Sequence, residues 1–344
     1  MRLSDVRIAA FGHALPEEVV TSEELELRLA PVYDRLRLRT GRLELMTGIA
    51  KRRFWAPGTR PSDASVLAGR HALEKSGVDP ACVGALVHAS VCRNFLEPAT
   101  ASVVHRELGL PDACSVFDLS NACLGVANAM VMVGNMIDAG QIEAGLVVAG
   151  EDGRGLVEET IRAANEDPDL DRERFKDAFA SLTIGSGGAA VVLERANGRE
   201  DRRLHGGAVL SATQHNVLCQ GDRADEGTGP LMNTDSEALL HAGNELAGRT
   251  FERFLSELEW TRDDLDRVIT HQVGSAHRRL LLETLGLPDD RDWPTVTELG
   301  NVGSVSLPAS FSLAEEAGFV ERGHRVGLLG IGSGLNCMML GLTW

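Results

Sequence analysis

The chain has 344 residues, a formal net charge of −16 and a single tyrosine, Tyr33. The length allows one large core or two of ordinary size, and the acidic balance argues against nucleic-acid binding. Six cysteines (Cys82, Cys92, Cys114, Cys123, Cys219 and Cys337) form no CxxC pair and no His/Cys cluster at metal spacing, so no disulfide framework and no metal site are expected, and the setting is expected to be reducing and cytoplasmic. Met1 to Gly12 lacks the continuous apolar core of a signal peptide, and no run of about eighteen apolar residues exists to span a membrane.

In chain order, Val6 to Phe11 predicts a strand and Ser22 to Leu29 a short helix with Ser22 as N-cap. Arg35, Arg37, Arg39, Arg42, Lys51, Arg52 and Arg53 then make the one basic segment of an acidic protein. It is either a solvated face or a landing site for phosphates. A helix is predicted from Ser62 to about Ser76 and a strand from Val83 to Ala89. Another helix opens at Glu97-Pro98 and runs to about Leu108.

Ser115 to Phe117 predicts a strand, and Val126 to Ile137 an apolar helix almost without charge. Cys123 falls where that strand hands over to the helix. Free N–H groups and the positive end of the helix dipole at such a position lower a thiol's pKa. The alternative is a buried, inert cysteine. Residues 151–182 are charged and helical in pattern, and are expected to form a peripheral insertion between strands at 145–149 and 185–193.

The second half repeats this plan. Asp138 to Gly145 resembles Glu316 to Gly323, at an offset of 178 residues between Gly140 and Gly318, and that offset carries Cys123 onto Asn301. The strand at 84–89 matches 266–271, which ends in His271. A duplicated α/β unit is expected, with its halves joined near residues 196–206 and its sheets sandwiched by helices. In a pseudo-twofold arrangement the turns of Cys123 and Asn301 meet at one site, with His271 at a strand end beside them. Gly330-Ile331-Gly332-Ser333-Gly334-Leu335-Asn336 follows the last long strand. Such a loop points N–H groups at a ligand, and without the lysine of a P-loop it suits the oxyanion of a thioester better than a phosphate.

Asn121-Ala122-Cys123-Leu124-Gly125, Thr270-His271-Gln272-Val273 and Gly300-Asn301-Val302-Gly303 resemble the Cys, His and Asn motifs of the ketoacyl synthase III branch of the thiolase superfamily. The resemblance runs over essentially the whole chain. It implies a thiolase-like α/β fold of two duplicated halves, 1–200 and 201–344, layered helix–sheet–helix–sheet–helix. Thr47 to Arg53 resembles the basic segment that the family uses near coenzyme A, which implies Arg52 and Arg53 as contacts of coenzyme A or pantetheine.

Within that branch, Phe95 to Ser102 and Leu329 to Cys337 are most similar to OleA-type enzymes, which join two long-chain acyl-CoA molecules head to head in olefin biosynthesis. The resemblance implies that Cys123 carries the first acyl group and that N–H groups of Cys123 and the Ser333 loop hold its oxyanion. His271 and Asn301 would hold the carbonyl of the second thioester, and Glu97 from the neighbouring subunit of a homodimer would remove its Cα proton. No permanently bound cofactor is implied; coenzyme A or phosphopantetheine thioesters, free or on an acyl-carrier protein, are the substrates. His271-Gln272-Val273-Gly274 departs from the family's usual His-Gln-Ala-Asn, which weighs against use of malonyl-ACP. A decarboxylative ketoacyl synthase III and an interlinking ketosynthase leading to α-pyrones are the alternatives.

Overall fold

Five strands of the first half are β1 (Val6–Ala14), β2 (Val83–His88), β3 (Ser115–Asp118), β4 (Ala144–Glu151) and β5 (Gly187–Arg195). Four of the second half are β6 (Arg203–Ser211), β7 (Arg267–Thr270), β8 (Arg325–Gly332) and β9 (Asn336–Thr343). The computed structural model describes residues 1–222 and 231–344 and joins these nine strands in the order β7-β8-β9-β6-β1-β5-β4-β2-β3.

The order is the same in both halves. The first reads β3-β2-β4-β5-β1, and the second reads β7-β8-β9-β6, with its third strand reduced to one bridge between Val268 and Asp292. The halves touch edge to edge between β1 and β6, where Arg7 pairs with Arg203 and, just before β1, Arg2 bridges Gly206. β4 is buried at all eight positions, the pattern of a strand covered on both faces.

Helices α1 (Pro61–Ser76) and α2 (Thr100–Leu108) cover the outer face of the first half-sheet. After α3 (Gly125–Asp138), α4 (Arg154–Glu166) and α5 (Arg172–Leu182) come α6 (Ser236–Leu258) and α7 (Ser275–Leu285), of which α6 packs on β6 and β9 and carries α7 against it. The last helix is α8 (Ser306–Glu316). α3 touches β4 and β5 of one half and β9 of the other, and α8 touches β1 and β5 as well as β7 and β8. These two helices form the middle layer, which completes the helix–sheet–helix–sheet–helix stack. Their buried faces mix larger apolar residues with many small ones (Gly125, Ala127, Ala129 and Gly134; Ser306, Ala309, Ser310 and Ser312), which let two sheets close on them.

Three predicted elements fall elsewhere. α4 and α5 do not hang off the surface: Val157, Ile161, Phe175, Phe179 and Leu182 share a separate apolar cluster with Leu25, Leu29, Val32, Tyr33 and Leu43. The helix expected to open at Glu97-Pro98 begins at Thr100, because the Asp118 carboxylate accepts hydrogen bonds from Thr100 N–H at 2.8 Å and Ala101 N–H at 2.9 Å. Glu97 and Pro98 lie in the loop before it. Cys219–Asp222 and Leu231–Thr234 pair as an antiparallel hairpin beside α5, with the Ser181 hydroxyl donating to Met232 C=O at 3.3 Å. The sequence also leads to the expectation that residues 215–233, with the insertion at 154–182, shape a substrate tunnel; of these, residues 223–230 lie outside the described residues.

Candidate active site

Cys123 sits on a sharp turn between β3 and α3. Ala122 before it has φ of 45°, in the left-handed region, and three glycines let other segments of the chain close on the turn. A Cβ on Gly125 would meet Ala89 C=O at 2.6 Å, one on Gly330 would meet Leu124 at 2.7 Å, and one on Gly332 would meet Cys123 N at 3.4 Å. The glycine-rich loop is therefore a hairpin turn between β8 and β9 that packs against the cysteine, and not a phosphate loop opening a helix. Neither Cys123 nor Ser333 spends its N–H on a backbone carbonyl among the described residues, so both are free to meet an oxyanion.

The thiol is not activated in the resting site. Enclosure pushes its pKa up to about 12, and the charges of Glu151 and Cys219 push the same way. The help expected from the helix start is small. Leu124 N–H is given to Asn121 C=O at 2.9 Å and Gly125 N–H to Ala122 C=O at 3.3 Å, so the N-cap and the first N–H of α3 are spent, and only the N–H of Cys123 itself acts on the thiol to lower its pKa.

His271 follows β7 directly, and its N–H donates to Leu329 C=O of β8 at 2.9 Å. The side chain is 6% exposed, and neither ring nitrogen has a partner among the described residues. Burial and the nearby His277 depress its pKa to about 4, so the imidazole is neutral at physiological pH and offers one N–H. Gln272, the next residue, points away from the site. Its Oε1 caps Thr295 N–H and Val296 N–H, and its Nε2 reaches Trp293 C=O and the buried Asp292.

Asn301 is pinned from both sides. Its N–H donates to Thr183 C=O at 2.9 Å and its C=O accepts from Gly185 N–H at 2.9 Å. Gly303 N–H donates to its Oδ1 at 3.0 Å, which leaves Nδ2 as an outward donor with no partner among the described residues. Behind this turn lies a residue that the sequence did not mark. Glu151, at the end of β4, is 5% exposed and accepts from Val91 N–H, Cys92 N–H and Ser304 N–H and from the Ser304 hydroxyl. The only hint in the sequence was a charged residue closing an otherwise apolar strand.

The remaining candidates divide. Ser333 stands in the hairpin turn beside Cys123. Glu97 is exposed on its loop and makes no hydrogen bond or ion pair among the described residues, so this chain by itself does not enclose it. Arg52 is a correction. In the strand Lys51–Phe54 every second residue points inward, and Arg52 is fully buried, donating to the Ser22 hydroxyl and to Leu182 C=O. Burial lowers its pKa to about 10. It braces the cluster under α5 and presents nothing to a phosphate. Arg53 is half-buried and donates to Pro16 C=O.

Arg42, Arg172 and Lys176 surround a groove of ≈ 60 Å³ floored by Leu38, Met46, Phe175 and Phe179; Arg172 donates there to Leu36 C=O, and Lys176 pairs with Glu237 at 3.3 Å. Remote from one another in sequence, His13, His71 and Glu316 do gather ligand-type atoms within 4.8 Å of one another, but the Lys75 ammonium already lies 3.0 Å from the Glu316 carboxylate.

Two repeats of one strand order, each with a central helix entered through a turn, make the framework of a thiolase-fold acyl transferase. Residues 45–165 match the thiolase N-terminal domain, and residues 255–344 match the C-terminal domain of 3-oxoacyl-[acyl-carrier-protein] synthase III. The chain is 41% identical to the acyl-CoA:acyl-CoA alkyltransferase of Shewanella oneidensis and 38% identical to that of Xanthomonas campestris, with all of both chains covered in each case. It belongs to this family of alkyltransferases. Solved structures of Xanthomonas campestris OleA superpose with TM-scores of 0.95 at 37% identity, over 100% of this chain and 98% of the other. They include a cysteine-to-alanine variant and a complex with cerulenin. Further structures of that protein carry substitutions of a glutamate and a histidine.

Proposed function

We propose that the chain condenses two acyl-CoA molecules head to head, without decarboxylation, to a β-ketoacyl-CoA. The observation that carries this reading is the full-length identity to alkyltransferases that use two acyl-CoA molecules. It is reinforced by the chemistry gathered around Cys123. The Cys123 sulfur attacks the first thioester carbonyl, coenzyme A leaves with the thiol proton, and the acyl group stays on sulfur. N–H groups of Cys123 and Ser333 hold the oxyanion. The second acyl-CoA places its carbonyl against Asn301 Nδ2 and the N–H of neutral His271. These uncharged donors stabilise the enolate left when a base takes the Cα proton. The enolate carbon attacks the acyl carbonyl, the C–S bond to Cys123 breaks, and the thiolate recovers a proton.

Glu97 of a second copy is the base in this reading. In the Xanthomonas protein the substituted glutamate and cysteine lie as far apart along the chain as Glu97 and Cys123 do here. An exposed acid with no partner of its own suits delivery into a neighbour's site. The phosphates of coenzyme A fall to the groove of Arg42, Arg172 and Lys176 in place of Arg52. Six free cysteines fit a cytoplasmic setting.

Incubation with a single long-chain acyl-CoA tests this directly. More than one equivalent of coenzyme A per site, together with a β-keto product, is expected. Glu97→Ala should release one equivalent and stall as an acyl-Cys123 adduct, seen by intact mass. Mixing Glu97→Ala with Cys123→Ala should restore condensation, because the mixed dimer holds one complete site. Normal condensation by Glu97→Ala alone would overturn the base assignment.

A further inference from the structure

Glu151 is the one buried carboxylate beside the nucleophile, and the condensation as written above does not use it. Its Oε1 accepts from Val91 N–H at 3.0 Å, from the Ser304 hydroxyl at 2.6 Å and from Ser304 N–H at 3.4 Å, and its Oε2 accepts from Cys92 N–H at 3.0 Å. No cation pairs with it among the described residues. A buried carboxylate without a counter-ion is costly unless every donor around it is fixed. Those donors come from two segments. Val91 and Cys92 open the loop that carries Glu97. Ser304 follows Gly303, whose N–H fixes the Asn301 side chain. Gly303 has φ of 55°, and a Cβ there would stand 3.2 Å from Glu151 Oε1, so the turn is shaped to admit this carboxylate.

We propose that Glu151 is a positioning residue for condensation: its two oxygens tie the Asn301 turn of its own site to the loop that presents Glu97. The proposal rests on the function given above. The same charge also stands close enough to Cys123 to hinder thiolate formation. Glu151 thus adds to the burial that holds the resting thiol protonated, while it holds the parts needed for the second step.

A glutamine replaces it only in part. One of its two head atoms is an NH₂ donor: facing Cys92 N–H it sets two donors against each other and loosens the Glu97 loop, which then holds through Val91 alone, and facing Val91 N–H and Ser304 it strips both segments of their shared acceptor. Aspartate keeps both oxygens on a shorter arm. Ser304→Ala removes only the 2.6 Å bond on the Asn301 side and keeps the charge.

The experiment separates the half-reactions in Glu151→Gln, Glu151→Asp and Ser304→Ala, with the wild type alongside. Acylation of Cys123 is followed by intact mass, condensation by β-keto product, and thiol ionisation by the pH dependence of iodoacetamide alkylation. In Glu151→Gln, condensation should fall at least tenfold while acylation changes less than threefold, and alkylation at a given pH should become faster because the charge is gone. Glu151→Asp should recover part of the condensation. Ser304→Ala should lose condensation without changing the alkylation profile. Equal loss of both half-reactions, or an unchanged alkylation profile in Glu151→Gln, overturns the proposal. If Glu151→Gln does not fold, normal condensation by Ser304→Ala overturns it and selective loss there supports it. If the wild type makes no β-keto product, the condensation reading itself fails, whatever the variants do.

Discussion

The same backbone hydrogen bond ends the corresponding strand in each half. Ala89 N–H donates to Val148 C=O at 2.7 Å in the first, and His271 N–H donates to Leu329 C=O at 2.9 Å in the second. One residue earlier, His88 faces Asp118 where Thr270 faces Asp292. The turns before the two central helices match as well, one carrying Cys123 and the other Asn301. The frame is shared and the chemistry is not. In the first half the strand end is Ala89, whose side chain is a methyl group and whose C=O packs against Gly125. In the second half the strand end is an unpartnered imidazole. One repeat thus presents a nucleophile on a closely packed turn, and the other presents two uncharged donors. The first turn is set by steric fit between glycines, whereas the second is set by hydrogen bonds to its backbone and side chain.

The difference is broken most sharply by removing each turn's functional atom. Cys123→Ala should abolish both acyl-enzyme formation and condensation. Asn301→Ala should leave the acyl-enzyme forming at near its normal rate and lower condensation by about 10²–10³-fold, the usual cost of one donor at a developing oxyanion. Single-turnover mass spectrometry distinguishes the steps. If Asn301→Ala slows acylation as much as condensation, the two turns do not divide the reaction.

A second test concerns the resting thiol. With a pKa near 12, the thiolate fraction of free Cys123 rises with every step of pH up to that value. Its alkylation rate constant should climb about tenfold per pH unit between 7 and 10, with no plateau. A plateau near pH 7 would show that the helix start does activate the thiol, contrary to its spent N–H groups.

Much of this organisation was legible in the sequence because it was periodic. The offset of 178 residues marks the paired turns, since the elements that flank them recur in the same order. What stayed hidden depended on the direction of single side chains. Arg52 belongs to a basic run, and only the alternation of a four-residue strand turns it inward while Arg53 stays half-exposed. Glu97 and Pro98 read as a helix start because proline favours that position, yet the cap comes from Asp118, which belongs to β3 and is remote from the loop in sequence. Glu151 has no motif at all. Its partners are mostly backbone N–H groups, which every sequence possesses and none advertises.

The smallest expected effect contrasts the buried histidines of the two halves. His88 and His271 both have pKa values pushed down to about 4, chiefly by burial. A histidine whose folded pKa lies below its unfolded value of about 6.5 stays neutral in the native state while the unfolded chain takes up the proton. Stability is therefore full above pH 6.5 and is lost as pH falls from there toward 4. At pH 5 each histidine should cost about 2 kcal/mol relative to pH 7. Urea unfolding at the two pH values measures these shares together with those of His13, His205 and His277, which burial also depresses. His271→Ala should remove about 2 kcal/mol of the difference and leave the rest. His88 also faces the Asp118 carboxylate, which favours its charged form, so its share should be the smaller if that contact tightens on protonation. An unchanged pH difference in His271→Ala would mean that this imidazole is already protonated or solvated in the native state. It could then not serve as the neutral donor beside Cys123.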